Sequence, residues 1–380
     1  MQPTQGNNVK AVMAVSLETS GKSWKLAATD RQRERPTLFV GRASEARARL
    51  EETVERIDQL ARKWGMPEDR QVVVIYEAGQ EAFWIARALA SRGIRALVVD
   101  PASIPVPRQA RRAKTDRLDA LLLLDCLLAW LAGQRGCMRV VHLPEPQAEM
   151  HRHLSRDRGL LQKEIGQHRD RIRKLLRTVG CWQELQGDVC AQLHAGELVC
   201  WDGQPIPQQL RQRLEREGAR LQLAQQQFAA LERGLLGQLP EPLRQRVAQL
   251  AQLKGVGWVG AMRLVLELYW RNFRNRQQVG SCVGLVAQPY DSGDSRVDQG
   301  ISKQGNRRVR ALLIEMAWMW LRYQPASAMA QWFTQRTAAS AANKRGKRIA
   351  IVAVARRLAI ALWRYLADGV VPQGAQLKKA

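Results

Sequence analysis

Four carboxylates stand where a chain could do chemistry with them. Glu18 ends the apolar run MAVSLE, and Glu77 ends VVVIYE. A carboxylate at the lip of a buried strand costs desolvation unless it faces a cleft or a cation. Asp116 and Asp119 sit three apart in KTDRLDA, a helical spacing that sets both on one face. Four acids brought together repel and raise one another's pKa, and a divalent cation relieves that. Oxygen-only ligands suit Mg²⁺ or Mn²⁺. Two such ions, roughly 3.5–4 Å apart, activate an attacking oxygen and stabilise a leaving one in phosphoryl displacement. The residues around the aspartates are basic: Arg108, Arg111, Arg112, Lys114 and Arg117 suit a phosphate backbone. The same aspartates would also suit a plain helix N-terminus, where acids favour the dipole.

The elements that must position these acids follow from the apolar pattern. KAVMAVSLE, SWKLAATD and TLFVGR read as three short strands. EARARLEETVERIDQLARKWG then has helical spacing through Leu50, Val54, Ile57 and Leu60. QVVVIYEAG is a buried strand, EAFWIARALASRG a helix closed by Gly93, and RALVVDP another strand. RLDALLLLDCLLAWLAG is a helix and CMRVVHLP a final strand. This order predicts an α/β domain over 1–145 with a mixed sheet, the order of a ribonuclease-H-like domain. In that order the first strand, the fourth strand and the following helix converge on one edge, so the four acids would meet.

PEPQ at 144–147 breaks the alternation. From there to about residue 245, two long segments carry apolar stripes: Leu154, Leu161, Ile165, Ile172 and Leu176 in the first, and Leu210, Leu214, Leu221, Phe228, Leu231 and Leu235 in the second. Both read as coiled-coil or helical-hairpin seams, either a spacer or a dimer arm. The stretch between them has no periodicity. Residues 246–380 read as all-helical. LKGVGWVGA places Lys254, Gly255 and Gly257 in a tight turn between helices, which would bring backbone N–H groups against a phosphate as in a helix-hairpin-helix; an ordinary αα turn reads the same way. QPYDSGDSRVDQGISKQGNRRVRALL is a loop-rich stretch. It carries Ser292 and Ser302 beside Lys303, Arg307, Arg308 and Arg310. Such a serine is a candidate nucleophile toward a phosphodiester, without a His–Asp pair to activate it, or a turn residue. Trp318, Trp320 and Trp363 read as core.

Lys and Arg total 60 against 35 acids, a net charge of +25 on 380 residues, which favours a polyanionic partner. The six cysteines form no C-x-x-C pair and show no zinc spacing with the histidines; His151 and His153 read as a solvated helix start. No apolar run approaches the roughly 20 residues of a membrane span, and MQPTQGNNVK has no signal core, so the expected place is the cytoplasm, about the nucleoid.

Taken together, SLETSGKSWKLA, VVVIYEAG, ARRAKTDRLDA, LKGVGWVGA, GISKQGNRRVRALL and KRGKRIAIVAVARRLA resemble the DEDD-type insertion-sequence transposases. The group is the insertion-sequence 110/1111 recombinases, relatives of the Piv-like invertases. The matches run in family order over nearly the whole chain. The resemblance implies a RuvC-like nuclease domain with Glu18, Glu77, Asp116 and Asp119 as its acidic tetrad, Glu18 standing where the wider family has Asp. It implies a coiled coil that multimerises the protein into a dimer or tetramer. It also implies a C-terminal transposase domain whose serine, matched by Ser292 with Ser302 in reserve, forms a transient phosphoserine link to DNA. Mg²⁺, DNA and a non-coding bridge RNA are the implied cofactor and partners. A Holliday-junction resolvase or RNase-H-like nuclease using metal-activated water is the alternative for the same acids.

Overall fold

The computed structural model describes residues 11–105, 115–185, 187–292, 295–338 and 344–378, with the side chains of 289–298 outside the description. Two compact units, Met1–Pro144 and Glu145–Ala380, divide the chain.

The first unit is built on a five-stranded mixed sheet in the order β3-β2-β1-β4-β5. β1 (Val12–Thr19), β2 (Trp24–Thr29) and β3 (Thr37–Gly41) form an antiparallel meander, and β4 (Gln71–Glu77) and β5 (Arg95–Val99) add parallel to β1. Helices cover both faces, which is why the central strands are apolar at every position rather than at alternate ones. Met13, Val15, Leu17, Val72, Val74 and Tyr76 pack toward α1 (Ala46–Lys63) and α2 (Ala82–Ala90). Ala14, Val73 and Ile75 pack toward α3 (Asp116–Leu131) through its Ala120, Leu123, Leu124 and Leu127. CMRVVHLP is not a strand. It meets β5 through a single bridge, Val99 to Val140, flanked by Asp100 N–H to the Arg139 carbonyl and Val141 N–H to the Val98 carbonyl. Its apolar residues cover an edge without continuing the ladder, and Pro144 follows.

In the second unit, α4 (Pro146–Arg177) and α6 (Gln208–Leu235) pack side by side. Arg158 meets Glu232, and His168 meets Glu217, so the pair is antiparallel. The aperiodic stretch between them folds over one end of the pair. It contains α5 (Val189–His194), and Cys181, Val189, Leu193, Leu198 and Ile206 close a small core on Ile172, Leu176, Leu214 and Leu221. Gly218 lets α5 come close, since a Cβ there would stand 2.6 Å from the Cys190 sulfur.

A second, larger core joins α7 (Glu241–Ala251), α8 (Trp258–Glu267), α9 (Arg276–Cys282), α10 (Arg307–Tyr323) and α12 (Lys344–Asp368), with α11 (Ala328–Ala338) against its side. This region is helical but not all-α. β6 (Ala287–Ser292) and β7 (Ser295–Ile301) form an antiparallel hairpin in the stretch that the sequence suggests is loop. Its residues are mostly polar and pair only with each other, so no apolar alternation announces it. Trp320 is core, its indole N–H donating to the Ser327 hydroxyl at 2.9 Å. Trp363 is half-buried, and Trp318, expected in the core, is 45% exposed and meets Phe333 edge-on. No helix among the described residues is long and apolar enough to cross a membrane.

Candidate active site at the acidic sheet edge

β1 and β4 run parallel as neighbours, with Ser16 opposite Ile75. β1 runs on through Glu18 and β4 ends at Glu77, so the two acids lie at the carboxyl ends of neighbouring strands. The period of two puts both on the face of Ala14, Ser16, Val73 and Ile75, the face that α3 covers. α3 comes close because the residue beneath it is small. Buried Ser16 donates its hydroxyl to the Ala120 carbonyl at 2.5 Å, next to Asp119. Thr115 caps the helix, accepting from Leu118 N–H, so Asp116 and Asp119 fall in the first turn.

Lys25 ties the helix to the strands. It lies opposite Glu18 on β2, and its Nζ is 2.7 Å from an Asp116 carboxylate oxygen. Sequence reading gives Lys25 no role; only the cross-strand register reveals that it shares an edge with the acids. Arg49 on α1 is a second residue that only the structure reveals. Almost fully buried, it donates to the carbonyls of Ser20, Gly21, Lys22 and Ala43, and so fixes the turn that follows Glu18. Thus Glu18 and Glu77 end neighbouring strands on the face that α3 covers, and α3 begins with Asp116 and Asp119. Among the described residues, no three His, Cys, Asp or Glu side chains are grouped to hold a metal ion as they stand. The donor chemistry nonetheless fits a hard divalent cation, because all four candidates are carboxylates, and the Lys25 ammonium already places one positive charge at the edge.

The basic residues divide. Arg117 is exposed on the first turn of α3, while Arg108, Arg111, Arg112 and Lys114 lie outside the described residues. Arg307 and Lys303 are exposed. Arg308 turns instead toward the buried carboxylate of Glu267, at 3.5 Å, where Ser155 also donates. Arg310 clamps a loop, donating to the carbonyls of Val283 and Gln304, and burial lowers its pKa. Arg308 and Arg310 therefore have structural work that the sequence, read as a basic helix start, does not disclose.

The loop that Arg310 clamps carries Ser302, whose N–H donates to the Val286 carbonyl. Lys303 has φ of 55°, and Gly284 and Gly305 pass so close to neighbouring carbonyls that neither leaves room for a Cβ. Ser292 ends β6, opposite Ser295. The LKGVG turn joins α7 to α8 with Gly255 at φ 82°. Much of it is covered: Lys254 N–H donates to the Gln376 carbonyl, its Nζ to the Gln376 side chain, and Gln324 donates to its carbonyl. Gly257, the residue before α8, has open space around it.

Two family models match the chain. One, described as a transposase of the IS110 DEDD type, covers residues 27–180, and the other, the IS116/IS110/IS902 transposase family, covers 247–332. The first includes Glu77, Asp116 and Asp119; the second includes the LKGVG turn and both serines. Among relatives, y4rJ of Sinorhizobium fredii, a protein named as a transposase, is 40% identical over 318 residues, 80% of each chain. A second such protein of that organism, y4qE, is 26% identical over 77% of this chain and 74% of its own. The transposase for insertion sequence element IS1533 of Leptospira borgpetersenii is 25% identical over 64% and 69%. With three of the four acids in the first matched region, the hairpin and clamp loop in the second, and a 40% identical relative over 80% of the chain, the chain belongs to the IS110 family of DEDD transposases, enzymes that cut DNA.

Proposed function

We propose that the protein cuts and rejoins DNA at the ends of an insertion sequence, using the acidic edge together with a serine of the second unit. The observation that supports this most is the parallel β1–β4 pairing, whose two strands run on to Glu18 and Glu77 on the face covered by the helix that carries Asp116 and Asp119. In this reading the first unit is a RuvC- or ribonuclease-H-like nuclease domain. Its four carboxylates hold Mg²⁺ or Mn²⁺, with Asp116 released by Lys25. A bound divalent ion would supply charge neutralisation to the scissile phosphate. Arg117 and the basic run before it draw the DNA backbone to the edge.

Ser292 is the proposed nucleophile and Ser302 the reserve. The serine oxygen bonds to phosphorus and gives up its proton. One P–O bond of the strand breaks, and the departing strand end takes up a proton. The phosphate then stays on the serine until a second strand end attacks and restores the hydroxyl. The α4–α6 pair serves as the coiled-coil contact between copies, giving a dimer or tetramer. The α7–α8 turn contacts DNA as a helix-hairpin-helix through Gly257 and the start of α8, Lys254 and Gly255 holding the turn from beneath. A bridge RNA supplies the pairing that selects donor and target.

Covalent trapping on nicked DNA tests the serine step. Denaturing gels should show a protein–DNA adduct with the natural chain and none with Ser292→Ala. Asp116→Ala should slow cleavage at least about 100-fold, since the charge stabilisation at stake is several kcal/mol. Cleavage that survives both Ser292→Ala and Ser302→Ala but needs Asp116 would instead mark hydrolysis by water, as in a resolvase.

A further inference from the structure

A cleft of about 850 Å³ opens in the second unit between α9, the β6–β7 hairpin and one face of α12. Six cations line it: Arg276, Lys303, Arg345, Arg348, Arg356 and Arg357. No described acidic residue does. On α12 the lining positions 345, 348, 349, 352, 356 and 360 recur at steps of three and four, so they form a single stripe along the helix. From 345 to 356 that stripe runs about 16 Å at 1.5 Å per residue. Such a row of positive charge needs a polyanion.

The floor says which kind. Leu285, Ile301, Ile349 and Val352 give the cleft an apolar strip between its cations, and Ile349 is 61% exposed there. A duplex presents phosphates outward and has no use for such a strip. An unpaired strand presents phosphates and base faces together, and its bases need apolar or guanidinium surfaces to lie on. Two of the arginines are held in place for this. Arg357 stacks on the Trp332 ring at 3.8 Å, and Arg356 packs over Gly280, where a Cβ would stand 3.2 Å from its Nε. The hairpin that forms one wall also ends at Ile301, directly before Ser302 and Lys303.

We propose that this cleft binds an unpaired nucleic-acid strand, with its phosphates on the cations and its bases against Ile349 and Val352. Its purpose, to hold the strand end near the hairpin, rests on the serine reading above; its binding does not. The test uses the full chain and labelled 20-nucleotide single strands, DNA and RNA of one sequence, beside the corresponding DNA duplex. Fluorescence anisotropy over a salt series reads the affinities. Arg345→Ala/Arg348→Ala should weaken the better of the two single strands at least about tenfold. It should also flatten the slope of log affinity against log salt by about 1.4, at about 0.7 per phosphate contact. Duplex affinity should stay within about twofold. Ile349→Ser should weaken the single strand and leave the slope alone. The DNA and RNA arms identify the strand it takes. Equal losses for single strand and duplex, or an unchanged single-strand affinity in a variant of unchanged melting temperature, would overturn the cleft. Covalent trapping is scored separately: loss of single-strand binding without any trapped adduct in the natural chain sinks the serine reading and leaves the cleft standing.

Discussion

Lys25 is the residue on which the acidic edge turns. Its ammonium meets Asp116 at 2.7 Å, both groups being partly exposed, so the pair contributes only about 0–1 kcal/mol. That is weak enough for a divalent cation to displace and strong enough to compete with one. Lys25→Ala should therefore tighten Mn²⁺ binding by up to about fivefold, measured by calorimetry without any DNA. Weaker Mn²⁺ binding in that variant would mean that Lys25 orders the edge rather than competing for Asp116. Arg49 works differently. It fixes the turn after Glu18 from beneath, and a buried guanidinium satisfied by four carbonyls has no polar substitute of the same shape.

At the scale of elements, the α4–α6 pair carries a buried charge in its seam. Glu217 meets His168 at 2.7 Å, Arg220 at 3.0 Å and Arg171 at 3.2 Å. Burial pushes its carboxyl up, but the His168 hydrogen bond and the Arg171, His168 and Arg220 charges outweigh it and hold the pKa below the ordinary value. A lowered folded-state pKa means stability present above the unfolded value and lost as pH falls through the folded one. Glu217→Gln should cost about 1.5–3 kcal/mol at pH 7. That gap in urea-melt stability should narrow below pH 4.5 and close further down. The element scale also shows what a sequence discloses. β1 and β4 are legible because burial on both faces leaves mostly apolar runs that end in acids, and α3 because its leucine run follows two aspartates at helical spacing. The β6–β7 hairpin is not, because its polar strands pair only with each other. CMRVVHLP misleads in the other direction, being apolar for covering an edge. The ion pair of Arg308 with Glu267, 41 positions earlier in the chain, is likewise visible only in the fold.

Across the whole molecule, the excess of 25 positive charges sets how nucleic acid is met. A protein neutralising six to ten phosphates loses roughly 10³–10⁵ in duplex affinity between 50 and 200 mM salt. A loss of that size is expected here with DNA of any sequence, and a shallow salt dependence would mean that the basic faces are not the docking surface. Sequence choice then has to come from elsewhere than charge. The parallel pairing of β1 with β4 bears on how the enzyme comes into being. Its two strands lie 59 positions apart in the chain and join in parallel, a contact that closes slowly because the intervening loop must first be ordered. The aspartates arrive later still, on a helix that docks only when that sheet exists. If the acids act as proposed above, a nascent chain halted before Asp116, with half of the acids and none of the helix, should leave the DNA around the ribosome uncut.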